Sequence, residues 1–153
     1  MSDESPPSTS VHARFVLDHR RIGERLEQLQ AAFEADDRED IQRLWTAFEA
    51  SLLLHLEAEE KYLVPSLLRL REREARTILA EHHHLRARLA ELGAGIDIHI
   101  VRVDAAHTFI EDLRAHARRE EVLYQWADAT LAAHERHSLI GGLARLVRGA
   151  AAL

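Results

Sequence analysis

Apolar residues recur along most of the chain at the three- and four-residue spacing of an amphipathic helix. Four segments have this pattern, and each predicts a long helix with one apolar face. In chain order, the apolar positions are Phe15, Ile22, Leu26 and Leu29; Ile41, Leu44, Trp45, Phe48 and Leu52; Ile78, Leu85, Leu89 and Leu92; and Phe109, Leu113 and Leu123. Four such helices with short connections predict an all-α, up-down-up-down four-helix bundle.

Local signals indicate where these helices begin and end. Ser10 is the expected N-cap of the first helix, and Asp36 is expected to cap the second, which Pro65 should end or kink. The third helix is expected to end at Leu92, because two glycines follow it in segment 93–95.

The second half of the chain repeats the first. Segment 52–60 matches segment 113–121 at an offset of 61, and segment 18–29 matches segment 81–92 at an offset of 63. Each half is therefore predicted to be one copy of a helix pair.

The segment from Ile96 to Val103 is ambiguous, because it alternates apolar and polar residues like a β-strand. The offset of 61 matches its Asp97 to Asp36 at the cap of the second helix. We expect the repeat to overrule the alternation, so that this segment begins the fourth helix.

Beyond the fourth helix the apolar residues Leu139, Ile140, Leu143, Leu146 and Val147 predict a short fifth, C-terminal helix. This helix is expected to close the bundle or to contact another copy, rather than to lie on a membrane surface. The predicted organisation is a disordered tail at 1–10, the bundle at 11–130, and the C-terminal helix at 131–153, packed on the bundle.

Composition narrows the class of protein. The chain has 153 residues, a net charge of -6 and no cysteine, which excludes disulfides, thiol chemistry and iron–sulfur ligation. No basic cluster is interleaved with aromatic residues, so nucleic acid is not an expected partner. The sequence has neither a signal-peptide pattern nor an uncharged stretch of membrane-spanning length. It predicts a cytoplasmic protein without a membrane partner, and leaves the oligomeric state open.

The repeated segments both contain His-x-x-x-Glu, at His55 and Glu59 and at His116 and Glu120. Residues four apart share one face of a helix, so each pair aims an imidazole and a carboxylate at one point. A third example begins at His107, but His107 lies nine residues before His116 and therefore on the opposite face. We expect His107 to face the solvent.

The first and third helices each add one histidine to their apolar stripes. Four imidazoles and two carboxylates would then be buried together, with no basic side chain on those faces. The six residues are His19, His55, Glu59, His82, His116 and Glu120. They are too many for tetrahedral zinc and too rich in nitrogen for calcium or magnesium.

Such a set suits two divalent transition metals, with both glutamates bridging, two histidines on each metal and open positions for a small ligand. A pseudo-two-fold axis between the metals would pair His19 with His116 and His55 with His82. Exchange of these partners would respect the same symmetry.

At these residues the chain resembles the haemerythrin-like family, also called haemerythrin HHE cation-binding domains. The motifs that carry the resemblance span 11–126 and are Asp18-His19, His55-x-x-x-Glu59 followed by Glu60 and Pro65, Glu81-His82, and His116-x-x-x-Glu120 followed by Glu121. The resemblance implies two non-haem iron ions, oxo- or hydroxo-bridged, with the six residues above as ligands.

Two features differ from oxygen-carrying haemerythrins. Those proteins have a further histidine where this chain has Arg86, and His-x-x-x-x-Asp where this chain has Glu121. Without the fifth histidine, both irons should be similarly coordinated, which argues against reversible oxygen carriage. The repeat favours Glu120 over Glu121 as a ligand.

Three further residues are expected near the ligands. Glu60 and Glu121 follow the two glutamates directly and should be solvated or should orient a ligand. Tyr62 lies three residues after Glu59 and should either line the site or pack in the core.

The leading hypothesis is a di-iron protein that binds oxygen, nitric oxide or peroxide for sensing, scavenging or storage. One alternative is a di-iron oxidoreductase or an iron-donating repair protein, although such repair proteins generally have a cysteine-containing segment that this chain lacks. The other is a helical interaction module that the metal only stabilises. Whether the protein is an enzyme stays open.

Overall fold

The structure is a computed structural model, and it describes residues 9–151. Most of the expected disordered tail at 1–10 lies outside the described residues. The described part contains helices and no strand, which confirms the all-α class. The elements are α1 (Val11–Glu34), α2 (Arg38–Ala58), a π-helical turn (Glu59–Leu63), α3 (Val64–Leu70), α4 (Glu72–Asp97), α5 (Val103–Thr130) and α6 (Ala133–Ala151). None of the helices among these residues is long and apolar enough to cross a bilayer.

The N-terminus of α1 is capped both locally and from α5. Ser10 accepts a hydrogen bond from the Ala13 N–H, as the sequence predicts for an N-cap. Asp128 of α5 accepts hydrogen bonds from the N–H groups of Val11 and His12, at 2.7 and 3.0 Å. Its negative charge also suits the positive end of the helix dipole, so the beginning of α1 is fixed to the end of α5.

The two helix pairs turn through the same kind of C-terminal motif. Just past the end of the first helix of each pair, a single residue adopts the left-handed conformation. It is Asp36 after α1, with φ 52°, and His99 after α4, with φ 58°. After α4, the Ile100 N–H donates to the Gly95 carbonyl at 2.7 Å, and a matching bond closes α1. These are Schellman motifs, in which the reversed residue lets the chain satisfy the last carbonyls of the helix.

The expected beginning of the fourth helix is wrong. Segment 96–103 contains the end of α4, a loop and only the first residue of α5. The left-handed residues Asp36 and His99 are 63 apart, so the offset of 63 continues past the end of the helix. Matching Asp97 to Asp36 at an offset of 61 therefore misaligned the loop.

Two further expected boundaries are also wrong. The N-cap of α2 is Asp37 rather than Asp36, and it accepts from the Asp40 N–H at 3.1 Å. The glycines do not stop α4, which continues to Asp97. A Cβ on Gly95 would lie 2.5 Å from the Ile100 carbonyl oxygen, so the glycine there allows the closing turn to approach the helix.

The chain passes Pro65 through the π-helical turn. The Val64 N–H donates to the Glu59 carbonyl, five residues back, and α3 then continues to Leu70. The wide turn accommodates a residue that has no N–H for the usual bond. A π-turn has more residues per turn than an α-helix, so each residue rotates the chain less about the helix axis. Three residues after Glu59, the chain is therefore further from completing a full turn, and Tyr62 lies further from the Glu59 face than α-helical spacing predicts.

The core consists of two apolar clusters with a polar layer between them. One cluster includes Phe15, Ile78 and Leu123 at the α6 end, and the other includes Ile22 and Leu85 at the opposite end. The layer between them contains the histidines that follow Phe15 and Ile78 along α1 and α4. Apolar packing therefore encloses the polar layer from above and below.

Helix α6 packs against one end of the bundle. Leu139 and Leu143 are buried in the same cluster as Phe15. Gly142 lies against the Tyr62 ring so closely that a Cβ at 142 would be 2.3 Å from a ring carbon. The packing of α6 on the π-turn thus depends on the absence of a side chain at this position.

We expect Gly142→Ala to destabilise the protein, because overpacking costs about 1–3 kcal/mol and outweighs the gain of up to about 1 kcal/mol in helix propensity. Gly141→Ala is the matched control, since a Cβ there meets only the Arg145 side chain at 3.9 Å, and it should be stabilising. Chemical denaturation of both variants measures the difference. Equal stabilisation by both substitutions, or no rescue of Gly142→Ala by Tyr62→Ala, would contradict this packing.

Candidate metal centre

The six histidines and glutamates predicted from the repeat meet in the polar layer. In each helix pair, α1–α2 and α4–α5, the first helix contributes one histidine. The second helix contributes another histidine and, one turn later, a glutamate. The six are His19, His55, Glu59, His82, His116 and Glu120. Both glutamates and His82 are fully buried, whereas the His19 side chain is 13 % exposed.

The six residues form two groups that share both carboxylates. One group contains His19 and His55, the other contains His82 and His116, and both contain the two glutamates. Within each group, one nitrogen or oxygen atom from each residue lies within 4.8 Å of the corresponding atoms of the other three. The Nε2 atoms of His19 and His55 are 2.9 Å apart. The side chains are thus grouped as His19 with His55 and His82 with His116, which is the second of the two arrangements that the symmetry allows. Each helix pair brings its own two histidines together.

Several buried polar atoms of the six residues have no hydrogen-bond partner. The unpartnered buried atoms are His19 Nδ1, Glu59 Oε2, His82 Nε2, His116 Nε2 and both oxygens of Glu120. Some lie close to one another, for example His116 Nε2 and Glu120 Oε1 at 3.1 Å, but without the geometry of a hydrogen bond. Buried polar atoms are rarely left unsatisfied in proteins. Converging nitrogen and oxygen lone pairs fit a bound cation.

Three of the four histidines are oriented by an outer carboxylate at Nδ1. Asp18 lies 2.7 Å from His55 Nδ1, Glu60 lies 2.9 Å from His82 Nδ1, and Glu81 contacts His116 Nδ1. A carboxylate at Nδ1 holds a proton there and leaves the Nε2 lone pair free to face the centre. Asp18 and Glu81 precede the ligands His19 and His82 in sequence, yet each of them supports the histidine of the next helix.

Arg86 lies one turn after His82 on α4, and it supports the layer indirectly. Its guanidinium donates to both carboxylate oxygens of Glu60, at 2.5 and 3.0 Å. Burial alone would raise the pKa of Glu60, but hydrogen bonds to Arg86 and His82 hold it below its usual value. Glu121, the counterpart of Glu60 in the repeat, is half-buried and makes no hydrogen bond or ion pair within residues 9–151.

Tyr124 is a site residue that the sequence analysis missed. Its hydroxyl donates to Glu59 and lies 3.1 Å from His19 Nε2 and 3.3 Å from His55 Nε2. Tyr62 instead packs its ring against Gly142 of α6. The missed signal was the position of Tyr124, four residues after Glu120 and hence on the same helical face.

In the metal-free protein, the carboxylates favour protonated imidazoles. Burial alone would lower the pKa of His82, but the close carboxylates of Glu120 and Glu59 raise it to about 10. Burial likewise opposes protonation of His55 and His116, yet the neighbouring carboxylates raise both pKa values. Burial would raise the pKa of Glu120, while its contacts with Glu59 and the histidines hold it well below the usual value. Protons and a metal therefore compete for this centre.

The other histidines of α4 and α5 lie outside the layer. His107 is exposed, as its helical phase predicts, and so are the two histidines that follow His82. His134 and His137, to which the sequence assigned no function, are also exposed on α6.

Comparison with known proteins gives one match. The family model described as the Hemerythrin HHE cation binding domain matches residues 10–127, which include all six converging residues. Neither a curated protein nor a solved structure matches the chain.

We expect the metal-free protein to lose thermal stability as the pH rises from about 6.5 to about 10. The folded pKa of His82 lies above its unfolded value, so its contribution is fully present below pH 6.5 and is lost as the pH approaches 10. Melting midpoints of chelator-treated protein across this range measure the effect. His83 is the exposed neighbour of His82 and provides the control, because His83→Ala should leave the dependence of the melting midpoint on pH unchanged. A melting midpoint that rises with pH would contradict the raised histidine pKa values.

Proposed function

The chain belongs to the haemerythrin HHE cation-binding family, and from this we propose that it holds two iron ions and binds a small ligand at them. The ligand classes are oxygen, nitric oxide and peroxide, for sensing, scavenging or storage. The observation that carries the proposal is the pair of His/Glu groups that share Glu59 and Glu120 and leave several of their buried nitrogen and oxygen atoms unpartnered.

We assign His19 and His55 to one ion and His82 and His116 to the other, with Glu59 and Glu120 bridging both. Imidazole and carboxylate together suit iron, and shared carboxylates suit a pair of ions rather than one. The bundle that holds them is proposed to run up-down-up-down. The short connections from α1 to α2 and from α4 to α5 support antiparallel neighbours.

Bound iron would supply a redox-active centre with coordination positions that a small molecule can occupy. The chain's own residues prepare the centre in two ways. Asp18, Glu60 and Glu81 contact the Nδ1 atoms of three histidines, so that the Nε2 atoms are oriented toward the centre and can bind a metal once it displaces their protons. The apolar clusters on both sides exclude water, which strengthens the electrostatic interactions inside the layer.

A cavity between α1, α2 and α5 supports the choice of a small ligand. Its volume is about 180 Å³, and it extends from exposed Glu27 and Arg114 to buried His55, His116 and Glu120. Cavities that bind drug-sized molecules are usually about 300–1,000 Å³. The walls are mostly apolar, which suits an uncharged diatomic molecule better than an extended polar substrate.

The metal assignment predicts iron content directly. Protein loaded with ferrous iron without oxygen, then desalted, should retain about two ions per chain by elemental analysis. His55→Ala and Glu120→Ala should retain about half or less, because each removes a donor from a buried group. His83→Ala and His107→Ala are the controls and should match the unaltered protein. A folded chain that retains no iron, or zinc alone, would refute the di-iron assignment and favour an interaction module.

The cavity assignment is tested at Gly23, where an added Cβ would meet no atom within 4 Å. We expect Gly23→Leu to fill the cavity and to slow nitric oxide binding to the ferrous protein about 10- to 100-fold, a barrier of about 1–3 kcal/mol. Gly23→Ala controls for helix propensity and should bind at nearly the original rate. Stopped-flow absorbance gives both rates, with iron content measured in parallel. An unchanged rate in the leucine variant would mean that the ligand enters elsewhere.

A further inference from the structure

The Tyr124 hydroxyl lies inside one of the two His/Glu groups. It forms a triangle with His19 Nε2 and His55 Nε2, whose edges are 2.9, 3.1 and 3.3 Å, and it also contacts Glu59 Oε1. Tyr124 is fully buried, so its hydroxyl has no access to solvent.

The spacing of this triangle matches that of ligands on one metal. Donor atoms about 2.0–2.2 Å from an ion and about 90° apart lie roughly 2.8–3.1 Å from one another, and wider angles increase that separation. The two imidazole nitrogens and the phenol oxygen already have this separation. Among residues 9–151, they converge with the carboxylate oxygens of Glu59 and Glu120 at one end of the layer.

The hydrogen bonds of the phenol also leave acceptors unsatisfied. A phenol has one proton, which Tyr124 gives to Glu59. His55 contacts Asp18 through Nδ1 and turns its Nε2 toward the phenol and toward His19 Nε2. Once the imidazoles give up their extra protons, these nitrogens and Glu59 together offer several lone pairs, which a cation would satisfy better than the single phenol proton.

We propose that Tyr124 is a further ligand of the ion held by His19 and His55, and that it binds as a phenolate. The inference rests on the proposed metal centre and adds to it a donor outside the His/Glu pattern of the repeat. On binding, the phenol O–H bond breaks, the proton leaves to the solvent, and the oxygen donates an electron pair to the ion. Glu59 loses the hydrogen bond from Tyr124, which frees its Oε1 for the metal.

The two ions then have different surroundings. At the repeat offset of 61, the counterpart of Tyr124 is Leu63, which is buried in the apolar core. Within the part of the chain that the structure describes, the ion near His82 and His116 would therefore lack a phenol oxygen at the equivalent position. A phenolate is a hard anionic ligand and stabilises iron(III) relative to iron(II). The sequence predicted two similarly coordinated irons, whereas Tyr124 would make the His19 and His55 ion the more readily oxidised one.

The chain offers a sharp test because Tyr62 and Tyr124 are its only tyrosines. Iron-loaded protein oxidised in air should show phenolate-to-iron(III) charge-transfer absorption in the visible region. Excitation into that band should enhance tyrosinate ring vibrations in the resonance Raman spectrum. Tyr124→Phe should abolish both signals, and Tyr62→Phe, the matched control, should keep both. Iron content is measured in each sample.

The outcomes separate this inference from the proposed function. About two irons per chain without tyrosinate vibrations would overturn the ligand role of Tyr124 and leave the di-iron centre in place. Failure to retain iron would overturn both. If Tyr124→Phe does not fold, the Tyr62→Phe chain still decides, because Tyr124 is then its sole tyrosine. Ring-deuterated tyrosine in that chain must shift the enhanced vibrations, and unshifted lines would overturn the proposal.

Discussion

The structure depends on how the charge of two buried carboxylates is compensated. Glu59 and Glu120 are fully buried, and among residues 9–151 their ionic partners are all imidazoles. An ionised carboxylate without a partner costs several kcal/mol to bury, and a domain of this size has only about 5–15 kcal/mol of net stability. The positive charge must therefore come from protons on the histidines or from bound cations. Either one makes the centre of the bundle a site where protons and metal ions exchange for each other.

The surrounding residues restrict how that charge can be supplied. Outer carboxylates occupy the Nδ1 side of three histidines, and Arg86 and Arg119 neutralise two of those carboxylates at the surface, on Glu60 and Glu81. Each arginine is thus separated from the centre by the carboxylate that it pairs with, and its charge does not compensate the buried glutamates directly. Apolar clusters close the layer above and below. Only a cation small enough to fit among the inward lone pairs could replace the protons.

The convergence of the six residues was predictable because it follows from helical spacing and from an internal repeat, both of which are visible in one sequence. Features set by backbone geometry were not. The π-helical turn places Tyr62 away from the layer. The left-handed residue His99 shows that the offset of 63, rather than 61, continues past the end of α4. The pairing of histidines depends on which helices are neighbours, and symmetry allowed two solutions. Tyr124 was missed because an aromatic residue on an apolar stripe is usually core, and only the structure shows its hydroxyl among polar atoms.

The repeat also shows where the two halves differ, and these differences favour one side of the centre. At the offset of 63 the counterpart of Arg86 is Gly23, so the α1 side has no arginine to hold Glu121 as Arg86 holds Glu60. The Glu121 side chain makes no hydrogen bond or ion pair in the described part of the chain, and the Nδ1 atom of His19, the counterpart of His82 Nδ1, has no partner. His19 is also the most exposed of the four histidines, and the cavity passes both His19 and Gly23. A glycine at position 23, where the other half has an arginine, thus coincides with both the opening and the freer histidine, so the cavity reaches the set of donors from the α1 side.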